Sequence, residues 1–188
     1  MDNLEVVVAG GGNAALCAAI SAREKGASVT VFEAAPKQMR GGNTRHTRNL
    51  RASHTTPIES LEGCYDEEEF FDDIFKVTHG NTNESLARLM IHQSMSLVSW
   101  LRSRGVHYQP ALSGTLSLNR TNAFFLGGGK TLLNKLYAHA EKIGVQIIYD
   151  AEVVSAAISN NRVHTIEVDY QEDRQTFEIG HLIAASGG

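Results

Sequence analysis

The chain opens on Leu4-Glu5-Val6-Val7-Val8-Ala9, a short and nearly continuous apolar run that ends in three glycines. Such a run predicts a strand buried on both faces, as in a parallel sheet. From Ala14 to Lys25 the period becomes helical and the positions small (Ala14, Ala15, Cys17, Ala18, Ala19, Ala22), with Gly26 as the stop. Ser28 to Phe32 is a second, β-branched strand, closed by Glu33. Strand, helix and strand within about 30 residues predict a βαβ unit and hence parallel pairing.

Farther on, Glu84 to Arg104 has helical spacing, with Leu86, Leu89, Met90, Leu97, Val98 and Leu101 on one face, Thr82 or Asn83 as a cap and Gly105 as terminator. Lys130 to Ile143 predicts another helix, with Leu132, Leu133, Leu136, Ala140 and Ile143 facing inward. Short alternating runs then predict strands at Val145–Tyr149, Val153–Ser159, Val163–Tyr170, Thr176–Ile179 and His181–Ala185, with hairpin turns at Asn160-Asn161 and Glu172-Asp173. The expected fold class is α/β: a Rossmann-like parallel sheet with helices and an attached antiparallel β-meander.

Composition narrows the field only modestly. The 188 residues are 42% hydrophobic and 20% charged, with a net charge of −4, which suits a globular domain and argues against nucleic acid as a partner. No stretch approaches the ~20 apolar residues of a membrane span, and Asp2 and Glu5 stand where a signal peptide needs positive charge. Cys17 and Cys64 offer neither a disulfide framework nor metal-ligand spacing, so a reducing cytoplasm is the expected compartment. Cys17 reads as core packing. The scattered histidines show no metal-ligand spacing either.

Charge is distributed unevenly. Between Glu33 and Glu59 there is no acid, but Lys37, Arg40, Arg45, Arg48 and Arg51 are present; from Glu59 to Asp73 there are many acids and no Lys or Arg. The segment from Ala34 to Pro57 reads as a long irregular loop, functional or disordered, and Asp66 to Glu69 as a solvated surface.

Of the 17 glycines, ten fall in clusters at Gly10–Gly12, Gly41–Gly42, Gly127–Gly129 and Gly187–Gly188. The first contains G-x-G-x-x-A between a buried strand and a small-residue helix, with an acid at Glu33 closing the next strand, the arrangement a dinucleotide requires. Gly10 would make the tight turn, Gly12 would let a diphosphate approach the backbone, and Ala15 would keep helix and sheet close. Amides at the helix start, around Asn13 and Ala14, would receive the phosphates. Glu33, followed by Ala34, would accept from the ribose hydroxyls and would repel a 2′-phosphate, which disfavours NADP. Gly128-Gly129-Lys130-Thr131 is no P-loop, because position 124 is Phe where that motif needs glycine.

Arg40-Gly41-Gly42-Asn43-Thr44-Arg45-His46-Thr47-Arg48-Asn49 resembles the flavoproteins of the fumarate reductase and succinate dehydrogenase family. The longer run Gly41–Arg51, with the Val8–Ala19 segment and Gly127-Gly128-Gly129-Lys130, resembles the FAD-dependent tricarballylate dehydrogenase branch and its cobalamin-pathway relatives. The resemblance covers essentially the whole chain. It implies FAD, with Gly41, Gly42, Asn43 and Thr44 along the flavin and ribitol end, the strand near Val153 beside the adenine, and Ala185, Ser186 and Gly187 close to the cofactor. Asn43 stands where one branch carries a histidine bonded to flavin, so the FAD is expected to be noncovalent.

For the intact enzyme the resemblance implies hydride transfer from a polycarboxylate, such as tricarballylate, to flavin N5, giving cis-aconitate. It also implies electron delivery to a membrane-associated iron–sulfur partner, which would bring the protein to the inner face of the membrane. Arginine pairs well with carboxylates, so Arg45 and Arg48, with His46, are candidate substrate contacts; a solvated basic loop is the plainer reading of the same residues. Family members continue past the final Gly-Gly into a capping domain. The chain is therefore expected to be the N-terminal part of a longer flavoprotein, with the catalytic base in the remainder and little activity or FAD affinity by itself. A precorrin-oxidising flavoprotein and a noncatalytic flavin-binding remnant are the alternatives.

Overall fold

The computed structural model describes residues 3–111 and 117–187. Gly188, the last residue of the fourth glycine cluster, lies outside them. The elements in chain order are β1 (Asn3–Ala9), α1 (Asn13–Glu24), β2 (Val29–Glu33), a 3-10 turn (Gly42–His46), β3 (Asn49–Arg51), α2 (Glu67–Val77), α3 (Glu84–Arg102), β4 (Asn122–Phe124), α4 (Gly128–Lys142), β5 (Gln146–Tyr149), β6 (Ala151–Ser159), β7 (Arg162–Tyr170) and β8 (Asp173–Ala184). They fall into two compact units, residues 1–46 with 133–188, and residues 47–132.

The first unit is built on a six-stranded sheet of order β5-β2-β1-β8-β7-β6. β1 pairs parallel with β2 on one side and with β8 on the other, and β5 continues the parallel part beyond β2. Every residue of β2 is buried, as are Val7 and Val8 of β1, which is why both runs lack polar alternation. α1 buries Ala15, Leu16, Ala19 and Ile20. The remaining strands form the expected meander, β6 with β7 and β7 with β8, all antiparallel. Val7, Phe32, Ala151, Ile166, Val168 and Ile179 form a core spanning both parts of the sheet.

Two local expectations need correction. Thr176–Ile179 and His181–Ala185 are not separate strands but one, β8, running straight through Gly180. Its first half pairs antiparallel with β7 and its second half parallel with β1, Glu178 taking part in both ladders. At Gly180 a Cβ would come within 2.7 Å of the Glu5 carbonyl oxygen, so the glycine permits close strand approach rather than marking a break. The last hairpin turns at Gln171-Glu172 (φ 54° and 67°), one residue earlier than expected, while Asn160-Asn161 (φ 50° and 57°) turns where predicted.

The second unit holds α2, α3 and the β3–β4 pair. The acidic run is not merely a solvated surface. Asp66 caps α2 by accepting from the Glu69 amide at 2.8 Å, and Glu67, Glu68 and Glu69 occupy its first turn, where the helix dipole favours anions. Phe70 and Phe71 then bury against Tyr65, Ala87 and Ile91. α3 begins at its Asn83 cap as expected, but its inward face is Ala87, Ile91, Ser94, Val98 and Leu101. Leu86 and Leu89 are 63% and 57% exposed. The face is rotated because Ser94, a polar residue, is satisfied in the interior: its hydroxyl accepts from the Ser53 amide at 3.0 Å and donates to the Ile91 carbonyl at 2.6 Å. No described helix is long and apolar enough to cross a membrane.

Candidate functional site

Three parallel strands end side by side in the first unit: β1 at Ala9, β2 at Glu33 and β8 at Ala184. Ligands of open α/β sheets bind beyond such carboxyl ends. Backbone bonds extend the sheet past the strand ends, from the Gly10 amide to the Phe32 carbonyl (2.8 Å) and from the Ala185 amide to the Ala9 carbonyl (2.9 Å). Gly10 turns with φ 108°, and a Cβ there would lie 2.4 Å from the Ala185 carbonyl oxygen. Glycine is required at this position on both grounds.

Above these ends lies a crevice of about 510 Å³. Every residue expected to hold the cofactor lines it except Ala15: the Gly10–Ala14 turn, Glu33 and Ala34, the Gly41–Thr44 loop, Val153, and Ala185 to Gly187. Ala15 is fully buried in α1, in keeping with a packing role. Sequence reasoning missed Ala9, Gly11, Phe32, Ala151 and Glu152, which also line the crevice. The first three flank residues it did name, and the other two follow from β6 beginning two residues before Val153.

The loop after Glu33 is anchored by contacts far apart in sequence. The Thr44 hydroxyl accepts from the Asn13 amide at 3.1 Å, capping the start of α1, and the Gly41 amide donates to Glu33 Oε2 at 3.3 Å. Glu33 Oε1 accepts from the Ala35 amide at 2.9 Å. The carboxylate is thus 7% exposed and held by two backbone donors, with no ion pair among the described residues. An anionic oxygen of this kind has lone pairs left for hydroxyl donors in the crevice.

Gly12 is the informative glycine. Its backbone (φ −75°, ψ −174°) is open to any residue. A Cβ there would meet nothing closer than the Thr44 hydroxyl at 3.6 Å. Neither conformation nor packing within the chain demands glycine, so the side chain's place is left to whatever enters the crevice. Gly12 beside a helix start and a buried carboxylate fit the diphosphate and ribose of a dinucleotide. One expectation is refined: the Asn13 amide is already capped by Thr44, so not all the first amides of α1 are free for phosphate.

The candidate substrate contacts are not gathered in the crevice. Arg45 folds onto its own loop, its guanidinium donating to the Met39 carbonyl at 2.8 Å, and neither Arg45 nor His46 lines the cavity. Arg48 is counted with the second unit. No described group of three or more His, Cys, Asp or Glu side chains is placed to hold a metal ion.

A glycine turn with open space at Gly12, and an acid at the end of the second strand, stand at the crevice of a dinucleotide-binding α/β protein. More narrowly, the chain belongs to the FAD binding domain family, whose model matches residues 5–188, and its cofactor is FAD. Its relatives are flavoproteins of the fumarate reductase type. The NADH:fumarate oxidoreductase of Klebsiella pneumoniae (strain 342) is 28% identical over 191 residues, covering 98% of this chain and 20% of that protein. The acrylate reductase flavoprotein subunit of Shewanella woodyi is 30% identical over 146 residues, covering 76% of this chain and 28% of that protein. The chain therefore spans less than a third of either relative. Among solved structures, the open conformation of a flavocytochrome c3 fumarate reductase superimposes with a TM-score of 0.82 at 24% identity, over 100% of this chain and 34% of that one. The 3-ketosteroid-Δ4-(5α)-dehydrogenase of Rhodococcus jostii RHA1 gives 0.82 at 20% identity, over 98% and 46%. Both likenesses concern the fold.

Proposed function

We propose that this chain is the dinucleotide-binding part of an FAD-dependent oxidoreductase that acts on a small polycarboxylate, tricarballylate being the leading substrate and cis-aconitate its product. The observation that carries the cofactor half is the space kept open at Gly12 beside a buried Glu33 that has no cation partner among the described residues. Gly12 and its neighbours hold the diphosphate, Glu33 accepts from the ribose hydroxyls, Val153 borders the adenine, and Asn43 and Thr44 border the flavin end. When bound, FAD supplies a two-electron acceptor for the bond being desaturated. The chain's own residues orient the cofactor and keep the Glu33 carboxylate out of bulk water. Asn43 offers no side-chain nucleophile for a covalent link, so acid precipitation should release the flavin intact.

The polycarboxylate reading is supported by the resemblance carried by the Gly41–Arg51 run, and by relatives named for reducing fumarate and acrylate, both unsaturated acids. Those names favour a second reading, reduction of an unsaturated carboxylate by the same flavin. The groups that clamp substrate and move the proton belong, in this proposal, to sequence beyond these residues, as does the docking of an iron–sulfur electron acceptor at the membrane. The test has two stages. The protein carrying the further sequence, titrated with FAD, should acquire a bound-flavin spectrum; no bound flavin would remove the placement of the cofactor in this crevice. The FAD-loaded protein carrying the further sequence should then reduce a dye with tricarballylate. Reduction of fumarate or acrylate without any tricarballylate-dependent dye reduction would replace the leading reading with the second.

A further inference from the structure

The phosphate-binding turn has a back as well as a front, and the back is held by one side chain. Tyr137 of α4 is fully buried, and its hydroxyl donates to the Gly11 carbonyl at 2.7 Å across 126 residues of sequence. Around Gly11 there is no spare room: a Cβ there would lie 2.1 Å from Glu33 Oε2 and 2.2 Å from the Tyr137 hydroxyl. The ring itself is fixed. The Arg40 guanidinium lies over it, 4.3 Å from the centroid, while donating to Asn134 Oδ1 on the preceding turn of α4 at 3.2 Å, and the Tyr149 ring stands 6.1 Å away. A cation over an aromatic face is attractive and resists rotation of the ring out of place.

No described peptide bond is cis. In a planar trans peptide the carbonyl and the following N–H point in opposite directions. A Gly11 carbonyl pinned toward Tyr137 therefore turns the Gly12 N–H to the other side, toward the crevice that Gly12 lines. The neighbouring Asn13 amide is spent on Thr44, which makes the Gly12 amide the more important donor.

We infer that Tyr137 is a positioning residue for the cofactor's diphosphate: by holding the Gly11–Gly12 peptide in one orientation from behind, it presents the Gly12 amide to the phosphate oxygens. The inference rests on the reading of the crevice as the FAD site. Burial, and next the charge of Glu33, push the Tyr137 phenol far above its ordinary value, so the hydroxyl stays a donor across the working range of pH.

Tyr137→Phe keeps the ring and its stacking and removes only the donor. Binding to the protein carrying the further sequence is measured with FAD, ADP and adenosine. The variant should lose about 5- to 10-fold in affinity for FAD and ADP, the effect of one hydrogen bond, and distinctly less for adenosine, which has no phosphate and meets only Glu33, beside which the Tyr137 hydroxyl also lies. An equal loss for all three ligands would mean general loosening and would overturn the inference, as would undiminished binding of ADP. A second measurement needs no variant. In the same wild-type protein, ADP should protect the Gly12 amide from hydrogen exchange by at least about tenfold; an unprotected Gly12 amide would overturn the proposal even if Tyr137→Phe failed to fold. Wild-type binding of FAD with no difference in the variant sinks the role of Tyr137 alone, whereas no wild-type binding of either FAD or ADP sinks the placement of the cofactor in this crevice and this inference with it.

Discussion

Glu33 of the first unit and the acids Asp73 and Glu69 of the second are treated oppositely. In the second, Asp73 accepts from the Tyr65 hydroxyl at 2.8 Å and from Arg51 at 3.2 Å, and Glu69 pairs with Arg120, whose guanidinium also reaches the Cys64 carbonyl. Each of these acids is partly exposed yet fully matched by cations. In the first unit Glu33 is more deeply buried and has two backbone amides and the neighbouring Tyr137 hydroxyl for company, but no cation among the described residues. Burying an anion without a counter-charge is costly. Where a protein matches its charges, it is holding itself together; a buried carboxylate left without a cation is where the proposed ribose contact is to be tested.

The same contrast exists between two adjacent glycines, and breaking it should give the largest effects. Gly12→Val fills space that the chain leaves open, so thermal stability should hold while FAD affinity falls by at least about 100-fold, because the diphosphate can no longer reach the backbone. Gly11→Ala should do the reverse first: its Cβ overlaps Glu33 and Tyr137, and overpacking of this kind costs about 1–3 kcal/mol. Calorimetry and flavin titration on both variants separate the two roles. Equal destabilisation by both substitutions would erase the distinction between reserved and occupied space.

Glu33→Gln comes next in size. The amide loses the charge that strengthens bonds to ribose hydroxyls, and one of its polar ends opposes an amide donor from Ala35 or Gly41. A charge-assisted bond is worth roughly 1.5–3 kcal/mol, so FAD affinity should fall about 10- to 100-fold. Asp73→Ala, its counterpart in the second unit, should lower stability by roughly 1–2 kcal/mol through the stranded Tyr65 hydroxyl and leave FAD affinity unchanged. Unaltered flavin affinity in Glu33→Gln would remove that residue from the ribose site.

Much of the crevice was readable because its demands fall on contiguous residues. The turn that borders the crevice spells itself as Gly10–Ala15, and the acid that closes β2 stands at a fixed distance along the βαβ unit. The Gly41–Thr44 loop was readable by resemblance. What escaped depends on partners distant in sequence. Tyr137 sits in an apolar stripe and looks like packing until its hydroxyl is found on Gly11, although a tyrosine at an inward position needs a partner for its oxygen. α2 was hidden by its acids, since Asp66 to Glu69 carries charge where amphipathic spacing would be sought, and only the cap geometry explains why four acids open a helix. In α3 the leucines suggested one face, and the buried Ser94 decided another through Ser53, 41 residues away. Local pattern reveals what local geometry requires; long-range hydrogen bonds leave no trace in spacing.

The smallest expected effect concerns pH and again sets a matched group against an unmatched one. His54 is 8% exposed, and its backbone pairs with Tyr65 in both directions at 2.8 and 2.9 Å. Its Nε2 lies 3.2 Å from the Glu62 carbonyl and must donate, which leaves Nδ1 buried as an acceptor without a partner among the described residues. Burial first, and the charge of Arg120 second, hold the imidazole below its ordinary value of 6.5. The folded chain then binds fewer protons than the unfolded chain, so this contribution is complete above pH 6.5 and is lost as pH falls through the folded value. The carboxylate of Glu69, lowered by its hydrogen bond to Arg120, loses its contribution only in more acidic solution. Thermal midpoints should therefore decline by a few degrees, about 2–4, between pH 7 and about pH 5.5. His54→Gln, which can still donate to the Glu62 carbonyl but takes up no proton, should flatten that decline and leave the steeper acid limb in place. An identical slope in the variant would mean that His54 is not the group being protonated.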